Sequence, residues 1–174
     1  MSLLDKFRVV ANETLRPNKF TAKVLFPAPV GDIVDLAEAC DIAVREAELP
    51  SRAVGVIDLP KRGNPHSIPG NFQKPADITL TFLNIQGSGL REAFERWVEY
   101  MASPVAGTVA NNVTVFGEVS IAQLNGVDAV VKTYQLLYAF PNNISNIALS
   151  EESQDQVETF SVTFTYSIPV TDLT

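Results

Sequence analysis

Histidine and cysteine are almost missing from this chain, with one of each, His66 and Cys40, in 174 residues. A single cysteine excludes an internal disulfide and makes a reducing compartment the default. One of each is too few for a Cys/His zinc centre. A Ser-His-Asp or Cys-His site needs its base held by a scaffold, and His66 lies in a proline-rich stretch. Basic residues are also scarce, 13 Lys and Arg against 20 Asp and Glu, for a net charge of -7. That balance argues against gripping nucleic acid through its phosphates, though not against a surface past which nucleic acid moves without sticking. No apolar run approaches the roughly 18 residues that span a bilayer. The first twenty residues lack the basic start and apolar block of a secretory signal. A protein made and used in the cytoplasm, with no membrane partner, is expected.

Further absences remove more chemistry. Gly87-Ser88-Gly89 lacks both GxGxxG spacing and a following Lys-Ser/Thr pair, so it reads as a strand-to-helix turn. No acidic run has the DxDxDG order of a calcium loop. Cys40 sits beside Asp41 among other acids, which raises a thiol pKa instead of activating the sulfur. No carboxylate pair is marked as general acid and base. The expectation is a protein without cofactor, metal or catalytic residue. With 46% hydrophobic and 19% charged residues and no internal repeat, the chain reads as one globular domain over 1–174.

What is present is mostly strand. Phe20–Phe26 alternates, with Phe20, Ala22, Val24 and Phe26 on one face. Cys40–Glu48 and Ala53–Leu59 read as further strands, and Asp77–Asn84 as another. Asn112–Leu124 and Ala129–Phe140 flank Asn125-Gly126, a strong hairpin signal because both residues tolerate positive φ. Val157–Ile168 sets Phe160, Val162, Phe164, Tyr166 and Ile168 against Thr159, Ser161, Thr163, Thr165 and Ser167. A strand with one apolar and one hydroxyl face is half buried, as in an antiparallel sheet with one wet side. Leu90–Ala102 is the one well-patterned helix, with Leu90, Phe94, Trp97, Val98 and Met101 in a single stripe. Leu3–Ala11 has a weaker helical pattern, and Ile144–Gln156 reads as a polar connection. The fold class expected is mainly β, an antiparallel sandwich or barrel with one α-helix.

Between two of these strands lies Asp58–Asp77, with four prolines, two glycines and the cations Lys61, Arg62 and Lys74. Structureless stretches of this length are uncommon in compact domains. Proline removes backbone donors, so the segment cannot be a central strand. It reads as an extended arm at about 58–77 that reaches another subunit, with a plain surface loop as the commoner outcome on local chemistry alone. Two acidic clusters stand apart from it. Asp32, Asp35, Glu38, Asp41, Glu46 and Glu48, with Arg45 among them, form either a solvated face or a surface that repels phosphate. Glu151, Glu152, Asp155 and Glu158 read as a solvated loop.

The order of these features resembles the tail tube protein family of contractile-tailed bacteriophages (myoviruses), related to the ring protein of type VI secretion. Arg16-Pro17-Asn18 before Phe20 is similar to that family's opening. Glu48-Leu49-Pro50 followed by Val54 and Val56 resembles the strand leading into its long inter-subunit loop. Lys61, Arg62, His66, Ile68, Gly70 and Lys74 fall where that loop lies, and Asp77–Asn84 resembles the returning strand. Arg91, Phe94 and Trp97 match the spacing of its helix. Thr159-Phe160 and the alternation to Ile168 resemble its last strand. Pro27–Ala39 is longer than the family's usual turn.

The resemblance implies a structural subunit, not an enzyme. It implies homo-hexameric rings stacked into a hollow tube inside a contractile sheath, with baseplate and terminator proteins at the ends. DNA would pass through the lumen without specific binding. Assembly would occur in the host cytoplasm and the product would lie in the virion tail. Asp41, Arg45 and Glu48 are expected to place charge on the lumen, with Asp41 and Arg45 sharing a strand face. The rival readings are a tube-initiating baseplate ring, a tail-terminator ring, the tube of a phage-like injection system, and a small-molecule-binding β-barrel.

Overall fold

The computed structural model describes residues 2–12, 14–30, 33–61, 63–103, 108–109, 113–150 and 156–173. The alternating segments pair into one antiparallel sheet of seven strands. Its path runs β1 (Phe20–Leu25), β8 (Gly117–Leu124), β9 (Val130–Ile144), β10 (Thr159–Thr165), β5 (Ile78–Leu83) and β2 (Val44–Ala47), with β11 (Ile168–Leu173) also pairing β9. Two separate two-stranded sheets complete the strands, β3 (Ala53–Lys61) with β4 (Asn64–Gln73), and β6 (Ala102–Ser103) with β7 (Thr108–Val109). The expected antiparallel β fold is present.

Three α-helices occur among the described residues: α1 (Leu3–Asn12), α2 (Ile33–Ala43) and α3 (Leu90–Met101). The second corrects the expected strand over Cys40–Glu48. Leu36, Cys40 and Ala43 recur at helical spacing and turn inward, so the chain is helical through Ala43 and extended only over β2. The shared strand face of Asp41 and Arg45 is lost with it. α2 packs beside β1, and Asp41 Oδ1 accepts the Ala22 N–H at 3.2 Å. A backbone amide on the sheet's outermost strand is thereby satisfied.

α3 closes the core. Its stripe buries Leu90, Ala93, Phe94 and Trp97 completely or nearly so. Phe94 meets Phe26, Phe82, Phe160 and Phe164 with ring centroids between 4.9 and 6.3 Å. Each such ring taken from water contributes on the order of 1.5–3 kcal/mol. Trp97 donates its buried Nε1–H to the Val115 carbonyl at 2.8 Å, as a buried indole requires. On the wet face, Arg91 pairs with Glu95 at 2.9 Å and Arg96 with Glu92 at 3.5 Å, both four residues apart.

Two strands differ from their patterns. The expected strand Val157–Ile168 breaks at Tyr166-Ser167, after which β11 lies along the first half of β9 while β10 pairs its second half. Tyr138, on β9 between those two pairings, has φ of 56°. The Asn125-Gly126 hairpin forms, but Asp128 and not Gly126 carries the positive φ, 60°. Asn125 Oδ1 accepts the N–H groups of Val127 and Ala129 at 3.0 and 2.9 Å, which makes an Asx turn within a longer loop.

Candidate assembly surface

The arm is a β-ribbon. β3 and β4 pair from Ala53↔Gln73 to Lys61↔Asn64, with a bulge where Gly70 and Asn71 oppose Gly55. The arm expected at about 58–77 is strand over 58–61 and 64–73, where no strand is expected beyond Leu59. Pro60, Pro65 and Pro69 are compatible with a ribbon because both of its strands are edges, where an absent donor costs little, and Pro75 lies beyond β4. Gly55 and Gly70 have a packing role at the bulge: a Cβ on Gly70 would lie 3.1 Å from the Gly55 carbonyl oxygen. The ribbon's base is tied to the body. Arg52 donates to Thr171 Oγ1 at 2.7 Å, and Asn142 donates to Asp77 Oδ2 at 2.7 Å.

Register sorts the ribbon's side chains. Val54 and Phe72, then Val56 and Pro69, then Asp58 and Ser67, share one face. Ile57 and Ile68, then Leu59 and His66, share the other. Ser67 Oγ donates to Asp58 Oδ1 at 2.6 Å across the first face. Val54, Val56, Ile57, Leu59 and Phe72 are all about half exposed or more. A soluble monomer rarely shows so many large apolar side chains on two faces of one element. A two-stranded ribbon alone is marginally stable in water, so this one is shaped to be covered.

The residues singled out from sequence separate into two places. His66 and Ile68 lie on β4, His66 exposed and Ile68 half-buried, and Lys74 is exposed just beyond it. Lys61 ends β3, and Arg62 lies outside the described residues. Asp41 lies on α2, Arg45 on β2 and Glu48 just past β2. Arg45 is exposed on β2, while Glu48 Oε2 accepts the Thr79 N–H at 3.0 Å. Asp41 and Glu48 are thus both engaged by backbone amides. Of the second acidic cluster, Glu158 accepts from Asn84 Nδ2 at 3.0 Å, and 151–155 lie outside the described residues.

A different polar surface lies on β5 and β10. Thr79 and Thr163 stand with hydroxyls 3.3 Å apart, and Thr81 and Ser161 at 3.1 Å. These cross-strand pairs form a ladder opposite the buried Leu80, Phe82, Val162 and Phe164. The ladder carries hydroxyls and no formal charge.

Reactive chemistry has little support here. Burial pushes the Cys40 thiol up to about 12; a backbone hydrogen bond at Val24 offsets part of this and the charge of Asp41 adds to it. Such a thiol stays protonated and inert. Burial, and then Asp77, also raise the Tyr166 hydroxyl, which has no hydrogen-bond partner among the described residues. No group of three His, Cys, Asp or Glu suited to a metal occurs among the described residues.

Sequence reasoning missed two features of the surface. α1 exposes Leu3, Leu4 and Phe7, the first by 86%, and Ser2 and Asp5 cap its start reciprocally. α2 exposes Ile42 by 68%. The Leu36, Cys40, Ala43 spacing could have revealed α2 and, with it, that Ile42 points outward.

Comparison with known proteins gives the same architecture. The tail tube protein of Serratia phage KSP90 is 25% identical over 176 residues, covering 99% of this chain and 98% of that protein. A chain of the sheath–tube complex of the extracellular contractile injection system PVC, in its extended state, covers 100% of this chain and 99% of its own at TM-score 0.67 and 15% identity. A chain from the anti-feeding prophage baseplate covers 91% and 95% at TM-score 0.67 and 17% identity. At these identities the two solved structures establish a shared fold. Residues 15–169 match the phage tail tube protein family, a span that takes in the ribbon, α3 and the sheet as far as the start of β11. The chain therefore belongs to the phage tail tube protein family, whose members are structural subunits and not enzymes.

Proposed function

We propose that six copies of this chain close into a ring and that rings stack into the hollow tube of a contractile tail. The observation that carries this reading is the β3–β4 ribbon, which leaves the body with apolar side chains on both faces. A contact between such an arm and a different surface of the next copy is heterologous, and heterologous contacts propagate into rings or filaments. A closed ring also removes the free edges of the seven-stranded sheet.

The hydroxyl ladder of β5 and β10 is assigned to the channel wall. It would be wetted on one side and rest on the aromatic core on the other. Arg45 and Glu48 lie at that sheet's β2 end and would place charge beside the channel. A wall with few cations on a chain of net charge -7 gives DNA phosphates nothing to hold, so DNA passes without binding. The sheath, baseplate and terminator are the partners proposed for the tube's outer surface and ends. The virion tail is its place, after assembly in the host cytoplasm.

Purified protein across a concentration series, followed by light scattering and electron microscopy, is the test. Hollow tubes with six-fold end views are expected. A strict monomer at high concentration would sink the reading. Rings that form but never stack would assign the chain instead to an initiating or terminating ring.

A further inference from the structure

The ribbon needs a receiving surface, and charge narrows where it lies. Residues 52–74 hold Arg52, Lys61, Arg62 and Lys74 against Asp58, a net of +3, which leaves -10 on the rest of a chain of net -7. The arm and the body are complementary, so a second copy of this chain is a fitting occupant.

Most described acids on the body are already engaged. Asp41 and Glu48 accept backbone N–H groups. Glu92, Glu95 and Asp128 are in ion pairs, Asp5 caps α1, and Asp77 and Glu158 accept from asparagines. The exposed face of α2 is different. Asp35 and Glu38 are exposed there with no ion pair among the described residues. Ile42 follows them at positions i, i+3 and i+7, one stripe on the helix surface, and is 68% exposed. Glu46 is exposed on β2, next to Arg45 in the chain. Glu99, Glu118 and Asp172, the other unengaged acids among the described residues, stand singly. Only on α2 do two such acids share a helix face with a large exposed aliphatic side chain.

We infer that the α2 stripe of Asp35, Glu38 and Ile42 receives the β3–β4 ribbon of a neighbouring copy. Ile42 would pack among Ile57, Leu59 and Ile68, and the two acids would meet the net positive charge carried by residues 52–74. Both surfaces are exposed in the single chain, so neither covers the other within one copy. The inference rests on the ribbon being an assembly element, and the experiment separates the two.

Four proteins are compared in tube assembly at low salt, each first shown to melt cooperatively as a dilute monomer. They are the wild type, Lys61→Glu with Arg62→Glu, Asp35→Lys with Glu38→Lys, and the combination of all four substitutions. Each double reversal is expected to raise the concentration needed for assembly on the order of tenfold, and the combination to return it close to the wild type. High salt should shrink every difference. A combination as weak as the two losses added together would overturn the α2 assignment. Unchanged assembly by the Asp35→Lys/Glu38→Lys protein would do so too, including the case in which that protein fails only to engage a different protein. A ribbon replaced by a short Gly-Ser linker provides the separate control. If that variant assembles normally, the assembly reading itself falls; if it fails while α2 reversal is silent, only the receiving surface is wrong.

Discussion

Gly117 is a glycine because there is no room for anything else. A Cβ there would sit 2.5 Å from Trp97 Cη2 and press on the Leu25 carbonyl. Trp97 cannot retreat, because it is fully buried and its Nε1–H is held by Val115. Gly117→Ala should therefore destabilise the subunit by about 1–3 kcal/mol, through overpacking of a rigid site. Urea unfolding checks this, and a midpoint equal to that of the wild type would show that the indole can shift. Cys40 supplies a second test. Burial pushes its thiol from the 9.0 of an exposed chain up to about 12 here. Between those values the unfolded state has released a proton that the folded state keeps, so rising pH favours unfolding. Stability should fall above about pH 9, and Cys40→Ala should flatten that fall, whatever it does to stability at neutral pH. Equal slopes for the two proteins would mean that the thiol is not shielded in solution.

Elements were legible from sequence wherever one residue pattern had one interpretation. β1, β5, β10 and α3 repeat their apolar residues at an unbroken period of two or of about 3.6, and the structure places them accordingly. Cys40–Glu48 misled because helix and strand meet inside it, so no single period covers it. Asp58–Asp77 misled for another reason: prolines exclude a central strand, and a free-standing ribbon has no central strand. The candidate site was legible as a place but not as a shape. Pairing across the bulge at Gly55 determines which side chains share a face, and no local pattern announces a bulge. The ribbon's faces are exposed and its strands pair chiefly with each other, so its loss should cost the body little. Replacing 53–73 with a short Gly-Ser linker should leave a subunit whose melting temperature moves by a few degrees at most and which no longer stacks. A collapse of cooperative melting in that variant would show that the ribbon is part of the core.

At the scale of the whole molecule, the proposed channel is where sheet chemistry would meet function. A six-membered ring multiplies each wall side chain by six, so one substitution becomes a ring of charge. Thr163 lies in the middle of the hydroxyl ladder, half-buried, with its hydroxyl 3.3 Å from that of Thr79. Thr163→Lys should be tolerated by the fold, because a long side chain on a wet face can reach water. In assembled tails it would set a cationic ring against the passing phosphates. DNA release should slow, most strongly at low ionic strength, where the screening length is about 30 Å at 0.01 M against about 8 Å at 0.15 M. Thr163→Gln separates charge from bulk, being long and polar but neutral, and should release DNA at nearly the wild-type rate. Release kinetics from reconstituted tails at two salt concentrations make the comparison. If the Lys and Gln variants release DNA alike from intact tubes, the β5–β10 ladder does not face the channel. The wall would then have to come from the outer faces of β1, β8 and β11.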